Sequence, residues 1–253
     1  MKKIMKKMFV GVVAVMGLFA LTACGGNNDR TLTMATSADF PPFEFINNAG
    51  EYDGFDIHMA RAIADILGYD LVIQNMEFAS VIAAVATGSS DIAVAAITVT
   101  DERRESVDFT NPYFETTLVA IVRGDSGIYE ISQLEEMGAE LTVAVQLGTT
   151  SDIMIDWFLP DATVSRYGQA PDTVVSLNVG NVDAVVIDGG VAMQFIGANP
   201  SLRILDEILA YEEYAIAVNP ENPELTARIN DALAELRANG ELQRIYDMFF
   251  GGE

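Results

Sequence analysis

Two α/β lobes joined by crossing strands are expected from three features of the sequence. From Thr31 onward short β-type runs alternate with helical patterns, the signature of an α/β protein with mostly parallel sheets. These runs are too numerous for one small sheet. No linker-like stretch divides the body into sequential halves, so two lobes that share the chain satisfy both facts. A length of 253 residues, 50% of them hydrophobic, is enough for one large or two modest cores.

The chain opens with Lys2, Lys3, Lys6 and Lys7 and an apolar run from Met8 to Ala20. That run is too short to cross a bilayer and reads as a secretory signal. It ends in Leu21-Thr22-Ala23-Cys24, which resembles a bacterial lipobox. Residues 1–23 are therefore expected to be removed, and the Cys24 thiol to carry the lipid that anchors the exported protein to the outer face of the cell membrane or to a periplasmic leaflet. Residues 24–30 would form the tether, since Gly25-Gly26-Asn27-Asn28-Asp29 has flexible linker composition. Because Cys24 is the only cysteine, the body forms no internal disulfide.

Strands are expected at Leu32 to Thr36, Leu71 to Gln74, Ile92 to Ala95, Leu118 to Val122, Leu141 to Val145, Ala184 to Ile187 and Ala215 to Val218. Helices are expected at Phe55 to Leu67, Phe78 to Thr87, Ser151 to Phe158, Thr173 to Val179, Val191 to Ile196 and Glu224 to Asn239. In the first helix Ile57, Ala60, Ile63, Ala64 and Leu67 recur at helical spacing, and Gly68 stands where a C-cap belongs. That stripe is core.

The formal net charge is -23, and all four lysines lie in the leader, so arginine is the only cation of the body apart from a protonated histidine. Such a surface repels phosphate backbones, which excludes nucleic acid as a partner. Enzyme signatures are missing. His58 is the single imidazole and sits on the polar side of a helical pattern, which leaves no His-based triad or His-rich metal site. There is no phosphate-binding glycine loop and no CxxC pair, so neither cofactor nor metal is expected.

Three places can carry binding chemistry. A buried strand ends in Ala95-Ala96-Ile97-Thr98, turns at Thr100-Asp101 and presents Arg103. Open α/β sheets bind ligands at such strand ends, and the planar guanidinium fork suits a carboxylate. Arg103 could equally pair with Asp101 or Glu105. Next, Val145-Gln146-Leu147-Gly148-Thr149-Thr150-Ser151 runs from a strand into a helix N-terminus, where free N–H groups favour an anion or need only an N-cap. Finally, Asp188 closes a strand beside Gly189 and Gly190, where it is either a turn residue or an acceptor for an ammonium. Together they complement an α-amino acid.

The chain resembles the polar amino-acid-binding proteins of bacterial ABC transporters, solute-binding family 3, over residues 31 to 253. The resemblance rests on Ala35-Thr-Ser-Ala-Asp-Phe-Pro-Pro-Phe-Glu-Phe45, Gly54-Phe-Asp-Ile57, Ala96-Ile-Thr-Val-Thr-Asp-Glu-Arg103 with Val107-Asp-Phe-Thr-Asn-Pro-Tyr113, and Gln146-Leu-Gly-Thr-Thr150 with Val182-Asp-Ala-Val-Val-Ile-Asp188. It implies a type II periplasmic-binding-protein-like fold, with residues 31–117 and 214–253 in lobe 1, residues 118–213 in lobe 2, and the ligand in the cleft between them. Leu118 to Val122 and Tyr214 to Val218 would be the crossing strands. By the same resemblance Arg103 clamps the α-carboxylate, helped by the amides of Thr98 and Thr150. Asp188, the Ala96 carbonyl and the Thr98 hydroxyl hold the ammonium, and Phe40 and Phe78 sandwich the side chain.

Ser37, Asp39 and Gln146 fall at the specificity end, and an acid with two neutral polar groups leans toward a basic or amide side chain. An acid there either meets a cation or faces water. The implied protein is a monomer that closes on a free polar amino acid and presents it to membrane permease subunits. The alternative on the same architecture is a secreted enzyme similar to cyclohexadienyl dehydratases, with Asp39 or Glu44 as the working acid.

Overall fold

The computed structural model describes residues 30–251. The expected signal segment, the lipidated Cys24 and residues 24–29 of the tether lie outside the described residues. The chain order is β1 (Thr31–Thr36), β2 (Asp39–Phe40), β3 (Glu44–Ile46), β4 (Tyr52–Asp53), α1 (Phe55–Leu67), β5 (Asp70–Asn75), α2 (Phe78–Ala86), β6 (Ile92–Ala93), α3 (Asp101–Arg104), β7 (Asp108–Phe109) and β8 (Phe114–Arg123). It continues with α4 (Ile131–Met137), β9 (Thr142–Gln146), α5 (Thr150–Phe158), β10 (Thr163–Tyr167), α6 (Ala170–Asn178), β11 (Ala184–Asp188), α7 (Gly189–Ala198), β12 (Leu202–Ile204), β13 (Ala210–Tyr214), β14 (Ala217–Val218), α8 (Pro223–Ala238) and α9 (Glu241–Phe250).

Two main sheets result. The first has the order β5-β1-β6-β14-β7, and the second β10-β9-β11-β8-β12 with β13 also paired to β8. A small sheet, β2-β3-β4, flanks the first. The sheets are mixed rather than mostly parallel. β5, β1 and β6 run parallel, as do β10, β9 and β11. β14 and β8 then add to them antiparallel, because each belongs to the part of the chain that passes between lobes and enters its sheet from the opposite end. Among the described residues no helix is long and apolar enough to cross a membrane.

Helix α1 shows how local sequence builds the first lobe. Ile57, Ala60, Ile63 and Ala64 are buried as their spacing requires, and Gly68 caps the helix at φ 75° with its N–H turned back to the last carbonyls. At the other end Gly54 has φ 117°, and a Cβ there would stand 2.2 Å from the Phe43 carbonyl oxygen. Only glycine allows β4 to turn into α1 against that backbone.

The expected crossing strands overlap the observed ones, with Leu118 to Val122 inside β8 and Tyr214 to Val218 spanning the passage from β13 to β14. β8 pairs antiparallel with β13 from Phe114↔Tyr214 to Leu118↔Ala210, so the expected boundaries at 117/118 and 213/214 fall inside or at the end of this ladder. Glu115, Glu212 and Glu213 interrupt the apolar pattern and hide these strands from a periodicity reading. Burial in β13 nevertheless alternates, with Glu212 and Tyr214 inward. Fully buried Phe43 braces the crossing, its ring 4.9 Å from that of Phe114 and 5.3 Å from that of Tyr214. Phe250 of α9 packs on the same ring at 5.2 Å. The C-terminal helix is thus part of the hinge support, although the sequence pattern of helical residues ended at Asn239.

Candidate binding site

The strand ends of both sheets open onto one cavity between the lobes. All ten residues singled out from the sequence line it: Ser37, Asp39, Phe40, Phe78, Ala96, Thr98 and Arg103 from the first lobe, and Gln146, Thr150 and Asp188 from the second. Glu44, Glu212 and Tyr214 line it as well.

Arg103 owes its position to a short helix. The Thr100 hydroxyl caps α3 by accepting from the Arg103 N–H at 3.1 Å, which swings the side chain back over the end of β6. The guanidinium is 7% exposed and lies 5.4 Å from the Phe78 ring centroid. Nη1 donates to the Thr98 carbonyl at 2.6 Å, and Nη2 reaches across the cleft to the Gly148 carbonyl at 3.0 Å. Among the described residues it forms no ion pair, with Asp101 and Glu105 included. Burial lowers its pKa, with Glu212 and Tyr214 opposing. A buried cation without a salt-bridge partner is costly, so this one is built for an anion.

The second lobe contributes the start of α5. Thr149 is the N-cap and accepts from the Asp152 N–H at 3.3 Å, leaving Thr150 at the first helical position, where N–H groups have no partner within the helix. The N-cap of this segment is present, and Thr150 behind it borders the cavity.

Asp188 ends β11 and is also a cap, for its Oδ1 accepts from the Val191 N–H at 3.0 Å. Its Oδ2 accepts from the Tyr214 hydroxyl at 2.7 Å and from the Thr116 hydroxyl. Burial raises its pKa while these donors hold it down. A carboxylate offers about four acceptor sites, so three donors leave one for a ligand.

Ala96 is a non-glycine residue with φ 46°, a left-handed conformation that costs about 1–2 kcal/mol. It is held there by its N–H, which donates to Asp56 Oδ2 at 2.8 Å. The Tyr113 hydroxyl donates to the same oxygen at 2.7 Å. Burial raises the Asp56 carboxyl to about 6. Neighbouring Glu44 is fully buried, and burial together with the Asp56 charge pushes its carboxyl well above the ordinary range. Both Glu44 oxygens and Asp56 Oδ1 are buried without a hydrogen-bond partner, and the raised pKa values favour the protonated form, which would let a carboxyl donate here.

Asp39 is partly buried and lines the cavity. It accepts from the Ser37 hydroxyl at 3.1 Å, from Gln146 Nε2 at 3.2 Å and from the Ala170 N–H at 3.0 Å. The last two belong to the opposite lobe, so neutral donors from both sides of the cleft offset part of its burial. Phe40 is stacked on Phe43 with centroids 6.4 Å apart, and Phe78 lies in the core beneath Arg103. His58 stands apart from the cavity, 2.9 Å from Asp53 on the outer face of α1.

Two lobes that share a crossing ladder, with Arg103 on one wall and Asp188 on the other, define a hinged ligand-binding protein. Residues 32–252 match the bacterial extracellular solute-binding proteins, family 3, and the chain belongs to that family. It is 32% identical over 260 residues to the arginine-binding extracellular protein ArtP of Bacillus subtilis, covering 98% of this chain and 100% of that one. Among solved structures, a P235GK mutant of ArgBP from T. maritima superposes with a TM-score of 0.83 at 36% identity, covering 88% of this chain and 96% of that one. An ancestral arginine-binding protein bound to glutamine gives a TM-score of 0.82 at 36% identity, with coverages of 88% and 99%. These relatives are named as binding proteins, and so is a solved structure on the dehydratase side, the ancestral amino acid-binding protein AncCDT-1, a precursor of cyclohexadienyl dehydratase, with a TM-score of 0.81 at 31% identity and coverages of 87% and 96%.

Proposed function

We propose that this protein is the amino-acid-binding component of an ABC importer and takes a polar L-amino acid with a basic or amide side chain. The observation that carries the reading is Arg103, a buried guanidinium with no ion pair among the described residues, facing Asp188 across the cleft. Arg103 holds the α-carboxylate with the amides of Thr98 and Thr150. Asp188, the Ala96 carbonyl and the Thr98 hydroxyl hold the ammonium. Phe40 and Phe78 flank the side chain, whose polar end meets Ser37, Asp39 and Gln146. The arginine and glutamine in the names of the relatives support this choice of side chains.

Closure about the β8/β13 ladder is the working motion. The ligand touches both walls, so it favours the closed state by contacts absent from the open one. The closed form is then recognised by permease subunits, and the lipid on Cys24 keeps the monomer at the outer membrane face. The test is a thermal-shift and calorimetric screen of the protein, unfolded and refolded to strip carried ligand, against the common amino acids plus cystine, ornithine and citrulline. At a hundred-fold excess over Kd a ligand adds about 2.7 kcal/mol, or roughly 5–10 °C for a body of this size. A response to arginine, lysine, ornithine or glutamine is expected. Silence toward every amino acid would end the reading. Replacement of Cys24 by serine should release the protein from the membrane fraction, and retention would remove the anchor.

A further inference from the structure

Glu212 is a charged cavity residue that the binding scheme leaves without a role. It sits on β13, the crossing strand, two residues before Tyr214 and on the same inward face, and it is 7% exposed. The Thr98 hydroxyl donates to its Oε2 at 2.9 Å. The Thr150 hydroxyl lies 3.5 Å from that of Thr98, so hydroxyls from both lobes converge at this carboxylate. Burial raises its pKa, while Thr150, Thr98 and Arg103 favour the charged form.

A threonine hydroxyl has one proton and two lone pairs. When the proton is spent on Glu212, the oxygen has only acceptor capacity left for the cavity, and an ammonium needs acceptors. Without the carboxylate, the same hydroxyl rotates freely and can present its proton to the ligand. The next residue on the same strand face acts in the opposite sense on the other wall, where the Tyr214 hydroxyl donates to Asp188 and orients that carboxylate. One short hinge strand therefore touches two groups, one from each lobe, that the binding scheme places at the ammonium.

We infer that Glu212 is a positioning residue for ammonium recognition, acting through the Thr98 hydroxyl and coupling that recognition to the crossing strand. The inference rests on the amino-acid reading above. Its test compares each amino acid with the analogue lacking the amine: L-arginine with 5-guanidinopentanoic acid, and L-glutamine with glutaramic acid, by competition calorimetry on wild type, Glu212→Gln and Glu212→Asp. Hydrogen bonds to charged groups are strong enough that Glu212→Gln should weaken the amino acid roughly tenfold or more. Its amine-free analogue should change by less than about threefold, so the preference narrows. Glu212→Asp, which keeps the charge, should hold the preference within about threefold of wild type. Equal losses for amino acid and analogue, or no loss in either, would overturn the inference and leave the amino-acid reading standing. A wild-type protein that binds neither amino acid would overturn both.

Discussion

Replacing Arg103 by methionine removes the guanidinium while keeping most of the side-chain volume. The guanidinium carries five N–H groups, of which two are spent on the Thr98 and Gly148 carbonyls, so three remain, enough for a two-pronged grip on a carboxylate. A hydrogen bond to a charged group contributes about 1.5–3 kcal/mol, and two such bonds about 3–6 kcal/mol. Binding should therefore weaken roughly 10²- to 10⁴-fold. The ligand-free fold should change little. Two carbonyls lose a donor, but a buried charge with no salt-bridge partner disappears with them, and the opposing effects leave Tm within about 5 °C of wild type. Calorimetry against the best amino acid of the screen, with melting curves of the ligand-free variant, reads both. A Kd within threefold of wild type would refute the carboxylate role of Arg103.

Asp39→Asn keeps an acceptor for the Ala170 N–H but removes a charge, so L-arginine should weaken roughly tenfold or more while L-glutamine changes by less than about threefold. Equal losses would make Asp39 a closure contact alone. Gly148→Ala adds a Cβ at φ 80° that would lie 3.1 Å from the Ala79 Cα of the opposite lobe, so it should oppose closure. Scattering should show a more open ligand-bound particle and titration a weaker Kd; unchanged values for both would deny that this contact limits closure. Asp56 binds its proton more tightly in the folded state, about 6 against 3.8, so its stabilising contribution is full below about 3.8 and is lost as pH rises through about 6. Ligand-free Tm should thus be higher at pH 5.5 than at pH 7.5, and Asp56→Asn should flatten that slope. A slope that survives the substitution would assign it to other groups.

Helix α1 was legible because its burial follows helical spacing, and strands β1, β5, β9 and β11 because each is a short β-type run set between helical patterns. So were the candidate site positions, since strand ends, an N-cap and a lone arginine fork are local signals, and the family blocks place them in order. Other features depended on neighbours distant in the chain. β2 to β4 and β7 are two- or three-residue strands with no period to read, and β13 carries glutamates that look solvated until the ladder with β8 turns one of them inward. The partners of Asp39 come from Gln146 and Ala170, which no sequence spacing brings near it. The absence of an ion pair at Arg103 among the described residues, the burial of Glu44 beside Asp56, and the turn of Thr98 toward Glu212 are likewise products of packing. Sequence determines which groups are available at each strand end. Tertiary structure decides which of them spend their hydrogen bonds on one another and which are left for a ligand, because that division depends on burial and on contacts across the two lobes.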